Sequence, residues 1–351
     1  MKFEHEHDTG RTKPVNFTTL AYCLIEIEHF IFMSEPRSII DKKVSEGPEV
    51  RRAADKIAEA ILGRSIIDLQ CKSIKNDLKE KIIGSTVLSV DTYGKNIILH
   101  FSCNVYLRNH MMMWGKWRIY SRTEYDSGTA KPPARVKWKK KFNKNKLGDV
   151  NDGIGKSNAN YLNKYLMTNV QNDSRTRLVL LTDIHAAVQF NGPILQFSED
   201  DPLLHESISR LGPDPLKPNF DVKEAKKRLK ERINKKLVDL LLDQTFIAGV
   251  GNKYKSEILF LLRVWPFRLT KDLSSSEQEK LLQKVQKILK AGYRNAGRTR
   301  PRQLGEPCKW SFRHWVFRRA GRPCWICGTP ITMDRQSSSR VTFWCPYCQQ
   351  P

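Results

Sequence analysis

Residues 240–259 read LLLDQTFIAGVGNKYKSEIL, and this stretch decides how the rest of the chain is parsed. Leu240, Leu241 and Leu242 close an apolar helix, Ala248-Gly249-Val250-Gly251-Asn252 makes a turn, and a second helix starts near Lys253. Glycines at 249 and 251 let one backbone approach another, and amides exposed at a helix N-terminus bind phosphate. Asn252 stands where it either caps the second helix or bonds a phosphate oxygen.

Outward from this unit the pattern stays helical, with helices expected over 223–232, 236–243, 253–262 and 275–291. Upstream it is β-rich. Short runs at 86–90 and 96–101 flank a turn at Tyr93-Gly94-Lys95-Asn96, and strands resume at 177–181 and 186–189. A helix is expected over 48–62, with Pro48 in its first turn, Glu49 beside it and Gly63 as its stop. Val50, Ala54, Ile57 and Ile61 fall on one face. Residues 131–146 hold eight Lys/Arg and no acid, with Trp138 and Phe142 interleaved, and read as part of a long insertion.

Downstream, Cys324-x2-Cys327 and Cys345-x2-Cys348 are separated by 17 residues. Two such knuckles close a tetrahedral thiolate site around one structural Zn²⁺, with no coordination position left for chemistry. A redox pair would not need two matched knuckles. Between them 336–340 suits a hairpin tip carrying Arg340, with Thr342-Phe343-Trp344 returning as a strand. Cys23, Cys71, Cys103 and Cys308 are scattered singly and read as reduced structural residues, not a disulfide framework.

The 351 residues carry 61 Lys+Arg against 37 Asp+Glu, a formal charge of +24. Part of this is solvated surface charge, but its concentration in places selects polyanionic partners, nucleic acid first and an anionic membrane second. The apolar stretch 20–33 is broken by Glu26, Glu28 and His29 and is shorter than the ~20 residues of a bilayer span. It lacks the basic lead of a secretory signal. An intracellular protein without a membrane segment is expected.

Three separated motifs then resemble one family. Ser45-Glu46-Gly47-Pro48-Glu49-Val50-Arg51-Arg52-Ala53-Ala54-Asp55 resembles the N-terminus of the formamidopyrimidine-DNA glycosylase/endonuclease VIII family, endonuclease VIII most closely. Residues 243–259 resemble its helix-two-turns-helix element, and 338–349 its C-terminal zinc finger. The similarity spans about 45–127 and 173–351, in the family's order.

The resemblance implies an α+β fold: an N-terminal β-sandwich flanked by helices, a helical helix-two-turns-helix domain and a zinc-finger hairpin, with damaged DNA between the domains. The corresponding divisions are an extension at 1–44, a catalytic sandwich at 45–205 with a Lys-rich insertion at 128–172, a DNA-binding helical domain at 206–305 and a zinc finger at 306–351. It implies a monomer that excises oxidised bases in base-excision repair and nicks the abasic strand by β/δ-elimination. Carried over residue by residue, Glu46 matches the carboxylate that handles protons, Lys95 the loop lysine that assists β-elimination, and Arg340 the finger arginine that holds phosphate. Arg210 and Asn252 match DNA contacts. Met112-Met113-Trp114 aligns with residues that fill the gap of a flipped base, a job that suits apolar wedges as core packing also would.

One position departs. The family's nucleophile is the free amine of an N-terminal proline, whereas Ser45 follows Val44 and its nitrogen is a delocalised amide. Three routes stay open: a freed Ser45 amine, a substituting lysine such as Lys42 or Lys43, or damage binding without excision. Two classes of function follow, a bifunctional glycosylase/lyase and a non-catalytic damaged-DNA-binding protein. The lysines of 131–146 suit either as a phosphate clamp.

Overall fold

A computed structural model describes residues 45–133, 169–307, 309–335 and 340–351. The extension 1–44 with Lys42 and Lys43, Cys308, residues 336–339 of the expected hairpin tip and all of the Lys-rich run beyond Pro133 lie outside the described residues.

Helix α1 (Gly47–Ile61) carries Pro48 and Glu49 in its first turn and stops before Gly63, whose φ of +71° suits glycine. It buries the expected face, Val50, Ala54, Ile57 and Ile61. Strand β1 (Asp68–Cys71), helix α2 (Asn76–Ile82), β2 (Val87–Tyr93), β3 (Asn96–Phe101), β4 (Tyr106–His110), β5 (Lys116–Ser121) and helix α3 (Arg122–Asp126) follow. Then come β6 (Thr176–Leu181), β7 (His185–Phe190) and β8 (Ile194–Ser198). They form two four-stranded antiparallel sheets, ordered β1-β6-β7-β5 and β2-β3-β4-β8. Leu69, Leu178, Leu180 and Ala187 of the first sheet share one core with Ile97, Leu99 and Leu107 of the second and with α1. The expected sandwich is thus present. The outer face of the first sheet is also covered, by Tyr125, Ala130 and Val170 packed on Val179, Leu181 and Val188. Burial on both faces explains why β6 and β7 read as nearly unbroken apolar runs. The two described ends of the insertion meet there, the Val170 amide donating to the Ala130 carbonyl at 3.2 Å.

The helical part comprises α4 (Glu206–Ser209), α5 (Val222–Lys230), α6 (Leu237–Leu240), α7 (Asn252–Leu262) and α8 (Ser275–Arg294) around Leu229, Val238, Phe246, Ile258, Leu282 and Val285. The helix expected over 236–243 is shorter than its apolar run. Asp243 accepts from the Thr245 amide (2.9 Å) and hydroxyl (2.6 Å), a local turn that competes with helix. Helix α8 instead runs three residues past its expected end at 291. Strands β9 (Thr332–Asp334) and β10 (Thr342–Trp344) pair as the finger hairpin, which packs on Phe260 of α7. Among the described residues no helix is long and apolar enough to cross a membrane.

Candidate active site and nucleic-acid interface

The turn at 248–252 is where the separate motifs meet. Gln244 staples it: its amide nitrogen donates to the carbonyls of Leu242 (3.0 Å) and Val250 (2.9 Å), and its oxygen accepts from the Gly249 amide (3.1 Å). Gly249 has φ +87°, and its carbonyl accepts from the Gly47 amide at 2.9 Å. A Cβ on Gly249 would meet Gly47 Cα at 3.5 Å, the Gly94 oxygen at 3.8 Å and Asp214 Oδ1 at 3.9 Å. One glycine therefore joins the start of α1, the β2–β3 turn and the segment leading into the helical part.

Glu46 is fully buried. Its carboxylate takes the place of a cap on α7, accepting from the amides of Lys253 (2.9 Å) and Tyr254 (3.3 Å). The helix's own cap position, Gly251, offers no side chain, so a carboxylate from 207 residues away fills the need. Burial raises the Glu46 pKa above the usual carboxylate range; Lys253 and Lys95 oppose the rise and Glu49 adds to it. Such a carboxyl holds its proton to higher pH than an exposed one, which suits proton exchange with a neighbour. Ser45, half-buried, precedes it directly.

Lys95 sits at the tip of a two-residue hairpin, with Tyr93 and Asn96 paired and Gly94 at φ +59° in the first central position. The Gly94 amide donates to Asp214 Oδ2 at 3.1 Å, which ties the tip to the helical part. Burial lowers the Lys95 pKa, against the pull of Glu46 and with a push from Arg340, to about 8. His110, at the end of β4, is held neutral: burial, with Lys95 and Arg108 nearby, lowers its pKa to about 4, and its Nδ1 faces the Met112 amide at 3.1 Å. Glu46, Lys95, His110 and Arg340 thus share one electrostatic neighbourhood.

Arg340 is exposed beside β10. The Lys255 amine of α7 lies under its backbone, donating to Thr342 Oγ1 (3.0 Å) and the Val341 carbonyl (3.3 Å), with the Arg340 carbonyl at 3.5 Å. Burial lowers the Lys255 pKa to about 7. Glu257, also fully buried on α7, accepts from the amides of Trp315 (2.8 Å), Val316 (2.9 Å) and Phe317 (2.8 Å) and from the Thr299 hydroxyl. Gln349 adds a bond to the Val264 carbonyl at 3.1 Å. Sequence reasoning missed Lys255, Glu257 and Asp214. Lys255, Ser256 and Glu257 are charged or polar in succession, yet all three are buried.

Met112 is 47% exposed at φ +51°, a left-handed conformation that costs a methionine energy and projects it from the β4–β5 loop. Met113 is exposed beside it. Their exposure removes the core-packing alternative for these two residues. Arg210 is exposed and pairs with Glu206 at 2.7 Å. Asn252 does not cap α7, and its buried Oδ1 has no hydrogen-bond partner among the described residues.

Cys324, Cys327, Cys345 and Cys348 place their sulfurs within 4.8 Å of one another, a set that can hold a metal ion. The Ile326 amide donates to Cys324 Sγ (3.4 Å) and the Cys348 amide to Cys345 Sγ (3.5 Å), as each knuckle turns back on itself. Cys71 and Cys103 are free.

Two family models match the chain, the formamidopyrimidine-DNA glycosylase N-terminal domain over 44–152 and the formamidopyrimidine-DNA glycosylase H2TH domain over 211–302. Endonuclease 8 of Escherichia coli (strain K12 / DH10B) is 30% identical over 311 residues, covering 87% of this chain and 99% of the relative. The Lactococcus lactis Fpg bound to abasic-site DNA superposes with TM-score 0.63 at 22% identity, covering 87% of this chain and all of the other. The wild-type L. lactis Fpg with DNA containing N7-benzyl-Fapy-dG matches with TM-score 0.63 at 23% identity over the same share of this chain.

Proposed function

The chain belongs to the formamidopyrimidine-DNA glycosylase/endonuclease 8 family, and on that premise we propose that it is a base-excision repair DNA glycosylase with abasic-site lyase activity. Its substrate is DNA carrying oxidised bases, its working unit a single chain, and its site of action intracellular, where that DNA lies. The observation that carries the reading is Glu46, held at the N-terminus of α7 within electrostatic reach of Lys95 and Arg340. Glu46 shuttles protons at sugar and base, and Arg340 holds the phosphate flanking the lesion. Ser45 marks the place where the family's amine stands. Met112 fills the gap left by the flipped nucleotide. Arg210 and Asn252 contact the strand: Asn252 does not cap α7, which leaves its side-chain NH2 to donate to a phosphate oxygen.

We assign residues 45–205 to the catalytic sandwich, 206–305 to the DNA-binding helical domain and 306–351 to the finger. Its four thiolates hold one structural Zn²⁺. Tetrahedral Zn–S bonds of ~2.3 Å put sulfurs about 3.8 Å apart. The Cys324–Cys348, Cys327–Cys348 and Cys327–Cys345 separations of 4.0, 3.5 and 3.4 Å support that set. Four sulfur ligands leave no open position, so the ion's part is to fold the finger that carries Arg340.

The test is to mix the full chain with duplex DNA containing one abasic site, add borohydride and look for a covalent adduct. An adduct supports Schiff-base chemistry. Tight, lesion-selective binding without any adduct favours the second reading, a damage-binding protein that does not cut, which the internal amide of Ser45 motivates.

A further inference from the structure

We propose that in this chain the ε-amine of Lys95 is the nucleophile that joins C1′ of the abasic nucleotide. The inference rests on the glycosylase/lyase reading. Ser45 follows Val44, so its nitrogen lone pair is delocalised into a carbonyl and unreactive. Three described lysines surround Glu46, and two are engaged. Lys253 is ion-paired to Glu49 at 2.6 Å and lies over the Tyr254 ring at 4.2 Å. Lys255 is fully buried and bonded to Thr342 and Val341. Lys95 is half-buried and makes no hydrogen bond or ion pair among the described residues.

Its placement is fixed by what holds the hairpin. Gly94 and Gly47 both contact Gly249, so the next residue on one side, Lys95, lies close to the previous residue on the other, Glu46, and each perturbs the other's ionisation. Asp214 secures the turn from the helical part, His110 faces it from β4 and Arg340 from the finger. With a pKa of about 8 the amine is roughly a tenth neutral at pH 7, where an ordinary lysine is almost wholly protonated. Desolvation beside a cation activates a lysine for this chemistry.

The step balances without an oxidant. The neutral amine forms the N–C1′ bond as the aldehyde π pair moves to oxygen, which takes the amine's proton. The protonated Glu46 carboxyl gives a second proton to that oxygen, the C1′–O bond breaks, and water leaves an iminium. The Glu46 carboxylate then takes a C2′ proton. The pair released forms an enamine that expels the 3′ phosphate with the C3′–O3′ electrons, and water hydrolyses the iminium to free Lys95.

The experiment is borohydride trapping of the full chain on an abasic-site duplex, followed by digestion and mass spectrometry. The expected adduct is on Lys95. Lys95→Arg, which keeps a cation for phosphate but has no nucleophilic amine, should lose at least 100-fold in trapping rate while still binding the duplex. The parent's rate should climb with pH and level above about 8, the pKa to which burial lowers the amine. An adduct on a Ser45 α-amine, on Lys42 or on Lys43 overturns the assignment and leaves the lyase reading intact. So does a Lys95→Arg chain that traps at the parent's rate. No adduct from the parent, with one from a chain cut to begin at Ser45, also overturns the assignment alone; no adduct from either chain overturns both.

Discussion

Gly251→Ala probes the carboxylate site by one methyl group. Gly251 has φ −131° and ψ −168°, an extended backbone that alanine adopts freely, so any cost is steric. Its Cβ would fall 2.5 Å from Glu46 Cδ, 2.6 Å from Cγ and 2.7 Å from Oε1. The neighbour is a fully buried side chain whose far end is already bonded, so the carboxylate must leave the Lys253 and Tyr254 amides. Each buried amide left without an acceptor costs about 1–3 kcal/mol, and overpacking adds about 1–3 kcal/mol. Relaxation recovers part of this, giving a net destabilisation of roughly 3–5 kcal/mol. The same substitution in a Glu46→Ala background meets no carboxylate and should cost under about 1 kcal/mol, a coupling of at least ~2 kcal/mol between the two positions. Urea denaturation of the parent, both single variants and the double variant measures it, with borohydride trapping as the functional readout. The reasoning is refuted if Gly251→Ala melts with the parent, or if the two substitutions are additive.

Removing the metal should unfold the finger. A strong chelator is expected to strip one zinc per chain, read by elemental analysis, and to abolish adduct formation while the α1 and sandwich amides stay protected from hydrogen exchange. Met112→Gly should relieve the left-handed methionine, raising stability by up to about 1 kcal/mol, while weakening binding to an abasic-site duplex about tenfold through loss of the wedge; equal affinity would remove Met112 from the interface. Lys255 links stability to pH. Its folded pKa of about 7 lies below the ordinary lysine value, so the unfolded chain binds the extra proton between pH 7 and about 10.4, and stability rises with pH across that window. Lys255→Met should flatten this rise in urea midpoints taken at pH 7 to 9.5, and an undiminished slope would rule the linkage out.

The elements readable in the sequence were those whose reasons are local. Pro48 and Gly63 bracket α1, Gly94 makes the two-residue turn and the paired knuckles gather four sulfurs. The extents that shifted did so through side chains that compete locally, as Asp243 does with α6. What stayed hidden is how residues far apart in sequence meet. Nothing around 252–257 announces that Lys255 and Glu257 face inward, because each needs a partner more than 40 residues away to be buried at all.

Those partners share one helix. The N-terminal amides of α7 hold Glu46, its Lys255 lies under the backbone of Arg340, and its Glu257 gathers the amides of 315–317. The turn that begins it touches Gly94, and through Gly94 it places Lys95. A helix of eleven residues therefore sets the spacing among the carboxylate, the hairpin amine and the finger arginine. Its buried polar residues are satisfied only when sandwich and finger are both docked. Burying a carboxylate such as Glu257 without its donors would cost several kcal/mol, so a chain with the finger undocked is expected to loosen α7 and release Glu46 as well. The site is assembled by the same hydrogen bonds that hold the described parts of the chain together.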